Sequence, residues 1–152
     1  MKVLHDEKID VACIQETHLN AKHVYATRGY DAVRLDRIGH KGGVLMLIRR
    51  SLPSRGLTIS TNNESEIVGA DINIDGDRTL RVFNIYCPRN KTLALESMET
   101  PHANCLVVGD FNSRSDRWGY PATNPRGAEV EDWEIDENLH LIHKSDDEPT
   151  FY

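Results

Sequence analysis

Cysteine is scarce in this sequence. Cys13, Cys87 and Cys105 stand far apart and form no CxxC pair, which excludes a zinc knuckle and gives no disulfide framework. Each is expected in or beside a strand as a small buried hydrophobe. Long apolar runs are missing too. The longest, Val44–Ile48, is far too short to span a bilayer. His5, Asp6, Glu7, Lys8 and Asp10 interrupt any signal core near the start, so neither membrane nor secretion is expected. A basic excess is absent: 18 Lys and Arg against 24 Asp and Glu leave a net charge of −6. Such a chain is a poor sequence-independent nucleic-acid coat. Any nucleic-acid contact has to be local, through a few loop arginines. Neither GxGxxG nor a Walker-type phosphate loop occurs, so His40–Gly43 reads as a turn.

What is present is an ordinary globular balance. The 152 residues are 39% hydrophobic and 28% charged, which predicts one domain over 1–152 with a real core. Met1–Ile9 reads as the end of a helix. Val11–Ile14 is a compact strand, Tyr30–Leu35 a weak alternating one and Val44–Arg49 a strong one. Leu57–Ser60 reads as a short strand after the break at Pro53, and Thr61–Ser65 as a turn. Asn63-Glu64-Ser65 fits the glycosylation triplet by chance. Glu66–Ile74 and Thr79–Tyr86 alternate around Asp75-Gly76-Asp77-Arg78, a hairpin signal. In the second run Leu80, Val82, Asn84 and Tyr86 share one face; Arg81, Phe83 and Ile85 share the other. Lys91–Glu99 has helical spacing, Leu106–Val108 is a buried strand, Glu129–Asn138 a helix and Leu139–Ile142 one more strand. Strands joined by hairpins in some places and helices in others predict an α/β fold. Its form is a four-layer α/β/β/α sandwich of two mixed sheets with outer helices, here incomplete.

Three strand exits carry chemistry: Glu16, Tyr86 and the Asp110/Asn112 pair in Gly109-Asp110-Phe111-Asn112. Strand ends fix side chains and loops expose them. On that tripeptide alone a polar turn explains the residues equally well. Two carboxylates, an amide and a phenol at several strand exits suit metal-assisted phosphodiester hydrolysis. A glutamate would hold the ion, and tyrosine and asparagine would bind phosphate oxygens. An aspartate would orient water or handle a leaving proton. Other metal readings fail. Counted from Asp110, an EF-hand would need a ligand, a glycine and a glutamate where Arg114, Ser115 and Pro121 stand. His140 and His143 would face opposite ways on a strand. Trp133 reads as core; Trp118 offers packing or stacking on a base.

These motifs carry a resemblance. Ile14-Gln15-Glu16-Thr17-His18, Ile85-Tyr86-Cys87-Pro88-Arg89-Asn90 and Val108-Gly109-Asp110-Phe111-Asn112 occur in the order and spacing of the endonuclease/exonuclease/phosphatase superfamily. The chain resembles that superfamily over nearly its whole length. It is most similar to the endonuclease domain of non-LTR (LINE-type) retrotransposons, through Gln-Glu-Thr-His-Leu, Gly42-Gly43-Val44, Trp118-Gly119, Asn124-Pro125-Arg126-Gly127 and Glu148-Pro149-Thr150-Phe151. The resemblance implies DNA nicking with Mg2+ (or Mn2+), a reverse transcriptase region in a parent polyprotein, and intracellular, nuclear action. It makes Glu16 the metal-binding glutamate, Tyr86 a phosphate contact, and Asp110 and Asn112 the paired active-site residues. Thr17 and His18 stand behind Glu16, and Asn124 and Arg126 are placed as DNA contacts. It also implies that an initial asparagine-bearing strand and a final Ser-Asp-His-like element lie outside these residues. A marginally stable, catalytically impaired piece is therefore expected. The alternatives are a phosphoinositide or sphingolipid phosphatase of the same superfamily, or a decayed copy that binds DNA or a partner without turnover.

Overall fold

The computed structural model describes residues 2–36, 42–59, 61, 64–100 and 104–142. In chain order it contains α1 (Lys2–Asp6), β1 (Val11–Gln15), β2 (Tyr30–Leu35), β3 (Val44–Arg49) and β4 (Ser54–Leu57). There follow β5 (Glu66–Asp75), β6 (Arg78–Tyr86), β7 (Cys105–Asp110) and α2 (Pro125–Asp136). The chain divides into two compact units, Met1–Phe111 and Asn112–Tyr152.

The first unit holds two sheets. One has the order β1-β3-β2 and is antiparallel throughout; the other has the order β4-β5-β6-β7. The parallel pairing of a mixed sheet is confined to β6–β7, the rest of that sheet being antiparallel. β3 explains why the Val44–Ile48 run is unbroken. Val44, Met46 and Ile48 pack with Val68, Ala70, Ile72, Val82 and Tyr86 of the second sheet. Leu45 and Leu47 pack with Leu4 and Tyr30 on the other side. A central strand covered on both faces needs no polar alternation. Tyr30 closes that outer layer, its hydroxyl donating to the carbonyls of Leu4 (3.0 Å) and Ile9 (2.6 Å).

β6 alternates as its sequence predicts. Val82 and Tyr86 lie in the core between the sheets, and Phe83 and Ile85 are buried on the opposite face. On that face Arg81 donates twice to Asp71, its register partner, at 2.8 and 3.1 Å. This holds the Asp71 carboxyl below the usual carboxylate range. The Asp75–Arg78 turn closes the hairpin as expected, with a bulge between Asn73 and Asp75.

Several local expectations are corrected. The strand expected at Leu57–Ser60 is instead β4, Ser54–Leu57, starting directly after Pro53. Lys91–Glu99 forms only a 3-10 turn at Leu95–Ser97, because Leu93, Ala94 and Leu95 are buried consecutively rather than at helical spacing. Leu139–Ile142 forms no strand, and Leu141 and Ile142 are exposed rather than packed on a sheet face. The late helix starts four residues earlier than expected, at Pro125. His40 and Lys41 of the glycine turn, Asn63 of the triplet, His143 and Glu148–Phe151 lie outside the described residues. Of the cysteines, Cys87 is buried, and Cys13 and Cys105 are partly buried in strands. Burial pushes the Cys13 thiol up to about 11.

The second unit is organised by α2. Asn124 caps it, its Oδ1 accepting the Gly127 N–H at 2.7 Å and the Arg114 N–H at 3.2 Å. Pro125 follows at the first helical position, where its missing N–H costs nothing. The fully buried Ser115 hydroxyl donates to the Glu131 carboxylate. Trp118 is half-buried in a 3-10 turn, and Trp133 is half-buried on α2.

Candidate active site

Three adjacent strands of the second sheet end in one row. Glu66 on β5 stands opposite Tyr86 on β6, and Tyr86 stands opposite Asp110 on β7. Register partners on neighbouring strands point to the same face. The row therefore faces the first sheet, as Tyr86 does in the core between the sheets. The β6–β7 pair is held at this end by the Cys87 N–H donating to the Asp110 carbonyl at 2.9 Å. Gly109, opposite Ile85, has φ +150°, and a Cβ there would come 1.9 Å from the Ile85 carbonyl oxygen. Only glycine lets β7 approach this closely.

The first sheet supplies Glu16 from the exit of β1. Glu16 has φ 50° and His18 φ 55°, left-handed conformations that non-glycine residues rarely hold without surrounding support. The support is visible. The Thr17 N–H donates to the Gly43 carbonyl at 3.1 Å and the His18 N–H to the Gly42 carbonyl at 2.8 Å. Gln15 donates to the Asn84 side chain at 2.5 Å. Asn84, 0% exposed, donates in turn to the carbonyls of Leu45 (3.0 Å) and Ile14 (3.2 Å). A buried amide thus ties β1, β3 and β6 together one residue before Glu16.

Charge concentrates on Tyr86. Its hydroxyl is hydrogen-bonded to Glu16, and its pKa is pushed up to about 12. Burial is the largest cause. The Glu16 bond and charge come next, then the charges of Asp110 and Glu66. A tyrosine phenol is protonated at neutral pH with or without this shift, so its O–H is a donor. The half-exposed Glu16 carboxylate also lies 3.6 Å from His18 Nε2. Glu66 is buried at 9% exposure, and its Oε2 accepts the Gly43 N–H at 2.6 Å. The motifs pass over this third carboxylate. Finding it requires the register of the β5–β6 hairpin.

Of the residues singled out by sequence, Glu16, Tyr86 and Asp110 belong to the first unit, where Tyr86 bonds Glu16 and is flanked by Asp110. Asn112, with φ 49°, opens the second unit. Asn124 and Arg126 lie there at the start of α2, Asn124 as the cap and Arg126 half-buried in the first turn.

Carboxylates and a phenol gathered at strand exits are group types that chemistry at phosphate esters needs, as hard oxygen ligands and as hydrogen-bond donors. Comparison with known proteins bears on the family and the fold. The chain belongs to the Endonuclease/Exonuclease/phosphatase family, whose model matches residues 1–146. That membership supports phosphodiester hydrolysis as its chemistry. Among solved structures, the chain is similar to the endonuclease domain of TRAS1, a telomere-specific non-LTR retrotransposon. The TM-score is 0.76 at 22% identity, covering 97% of this chain and 67% of that one. At that identity the likeness shows the shared α/β fold.

Proposed function

We propose that this chain is a magnesium-dependent endonuclease domain that nicks DNA, of the kind non-LTR retrotransposons use to open their target. All 152 residues are read as one domain, a reading supported by a family match over 1–146 that reaches into both units; a reverse transcriptase region in the same polyprotein is part of the proposal. The observation that carries the reading is the convergence of Glu16 and Asp110 on the protonated Tyr86.

The donor set suits a hard divalent ion. Magnesium keeps several waters and takes one or two carboxylates plus substrate oxygens. Glu16, half-exposed and acidic, is the residue proposed to hold it; manganese fits the same oxygens. Among the described residues no group of three or more His, Cys, Asp or Glu is close enough to hold a metal ion. An ion held by Glu16 would draw on waters and phosphate oxygens besides. When bound, the ion would neutralise charge developing on the phosphate. Tyr86, whose single O–H meets Glu16 in the free site, is proposed to turn it to a non-bridging oxygen as a hydrogen-bond donor. Asn112 is assigned a second donor by its motif. Asp110 orients the attacking water or passes the leaving group its proton. Asn124 and Arg126 are proposed DNA contacts.

The test is nicking of supercoiled plasmid with and without magnesium, for the wild-type chain and Asp110→Ala, with a soluble inositol polyphosphate as a second substrate. Magnesium-dependent nicking that disappears in Asp110→Ala is expected. Release of phosphate from the inositol compound without nicking would instead assign the site to the phosphatases of the family. Folded protein inert on both, yet binding DNA without magnesium, would mean a non-catalytic binder.

A further inference from the structure

Glu66 is the rim carboxylate with the least solvent access and no assigned role. It belongs to the second sheet, yet its carboxylate accepts the N–H of Gly43, next to β3 of the first sheet, at 2.6 Å. Gly43 and Gly42 in turn accept the N–H groups of Thr17 and His18. Residues 16–20 form no helix or strand. Those two backbone–backbone bonds thus hold the segment directly after Glu16. The fit at Gly43 is tight. Its φ is +92°, and a Cβ would come 2.5 Å from Thr17 Oγ1. A hydrogen bond to a carboxylate is roughly twice as strong as one between neutral groups. The first link of this chain is therefore the strong one.

We propose that Glu66 is a positioning residue: its carboxylate clamps the Gly42–Gly43 turn onto Thr17–His18 and thereby fixes Glu16 at the rim. The consequence for metal binding rests on the reading of Glu16 given above; the clamp itself does not. Glu66 need not touch substrate or ion. Its contribution is to hold the backbone from which Glu16 projects, as outer partners of metal ligands do elsewhere.

The experiment compares wild type, Glu66→Ala and Glu66→Gln by amide hydrogen exchange and by nicking. Glutamine keeps an oxygen acceptor for the Gly43 N–H; alanine does not. Exchange protection of the Thr17 and His18 amides is expected to fall about tenfold or more in Glu66→Ala, while Leu47 and Ala70, inside the sheets, keep theirs. Glu66→Gln is expected to retain most of the protection. In parallel, the magnesium concentration for half-maximal nicking should rise about 10- to 100-fold in Glu66→Ala and little in Glu66→Gln. Unchanged protection of Thr17 and His18 in Glu66→Ala would overturn the clamp. So would equal losses in both variants, because glutamine still offers the Gly43 N–H an oxygen acceptor and alanine offers none. If wild type never nicks, the nuclease reading falls, and the exchange comparison alone still decides the clamp.

Discussion

Alanine at position 109 probes whether the β6–β7 pairing places Asp110. An ideal Cβ on Gly109 would stand 1.9 Å from the Ile85 oxygen and 2.8 Å from both the Ile85 carbonyl carbon and its Cγ2. Two of these are backbone atoms of a fully buried residue in the neighbouring strand, so no side-chain rotation relieves the clash. β7 must move away by about 1.5 Å to restore ordinary contact. The first loss is the Cys87–Asp110 backbone bond, worth about 1 kcal/mol. Holding alanine at φ +150° adds strain of about 1–3 kcal/mol. Together these predict destabilisation of roughly 2–4 kcal/mol, a fall in Tm of about 5–15 °C for a chain of this size. Gly76→Ala is the matched control. It has φ +56° but nothing within 4 Å of the added Cβ, so only the conformational cost of about 1–2 kcal/mol applies. Circular-dichroism melts and urea titrations of both variants give the comparison. Below both melting points Gly109→Ala should nick more slowly than Gly76→Ala, because Asp110 is the next residue on the displaced strand. If Gly109→Ala melts no lower than Gly76→Ala, the close approach of β7 is not what holds this rim.

Two further outcomes are expected. The Tyr86 phenol, pushed up to about 12 chiefly by burial, holds its proton more tightly folded than unfolded, where tyrosine ionises near 10. Its contribution to stability is intact below pH 10 and is lost as pH rises toward 12. The urea midpoint should therefore fall further between pH 9 and 11 in wild type than in Tyr86→Phe; equal falls would refute the assignment. Asn124→Ala should lose the α2 cap, at a cost of about 1 kcal/mol. Asn124→Asp keeps an acceptor for Gly127 and Arg114 and should melt like wild type. If Asn124 also meets phosphate, fluorescence anisotropy will show Asn124→Asp binding DNA more weakly. Unchanged binding would leave it a cap alone.

The fold was legible wherever burial writes a pattern. Val44–Ile48 is apolar without interruption because β3 is covered on both faces, and β6 alternates because its two faces meet different neighbours. Misreadings arose where apolar residues carried no such pattern. Leu93, Ala94 and Leu95 are buried in succession, and the Leu95/Met98 spacing imitates a helix that does not form. Leu139–Ile142 has strand-like composition, but a strand also needs a partner. The start of α2 was readable and was missed. Asn124-Pro125 is a cap followed by the one helical position proline favours, four residues before the start expected at Glu129.

The site was legible in a narrower sense. Glu16, Tyr86 and Asp110 each follow or end an apolar run, so each announces a strand exit. Glu66 begins a strand, and its place depends on a register decided at the far end of the hairpin. A two-residue turn at Gly76-Asp77 without irregularity would set Ile67, not Glu66, opposite Tyr86. The bulge between Asn73 and Asp75 leaves Ile74 without a partner, 46% exposed, and shifts the pairing by one residue. Because side chains alternate along a strand, that single shift turns Glu66 from the outer face to the face shared with Tyr86. The same shift puts Val68, Ala70 and Ile72 into the core between the sheets. Core packing and the row of polar groups at the rim are thus consequences of one register. Burying that apolar stripe is what stabilises the pairing that brings Glu66 beside Tyr86.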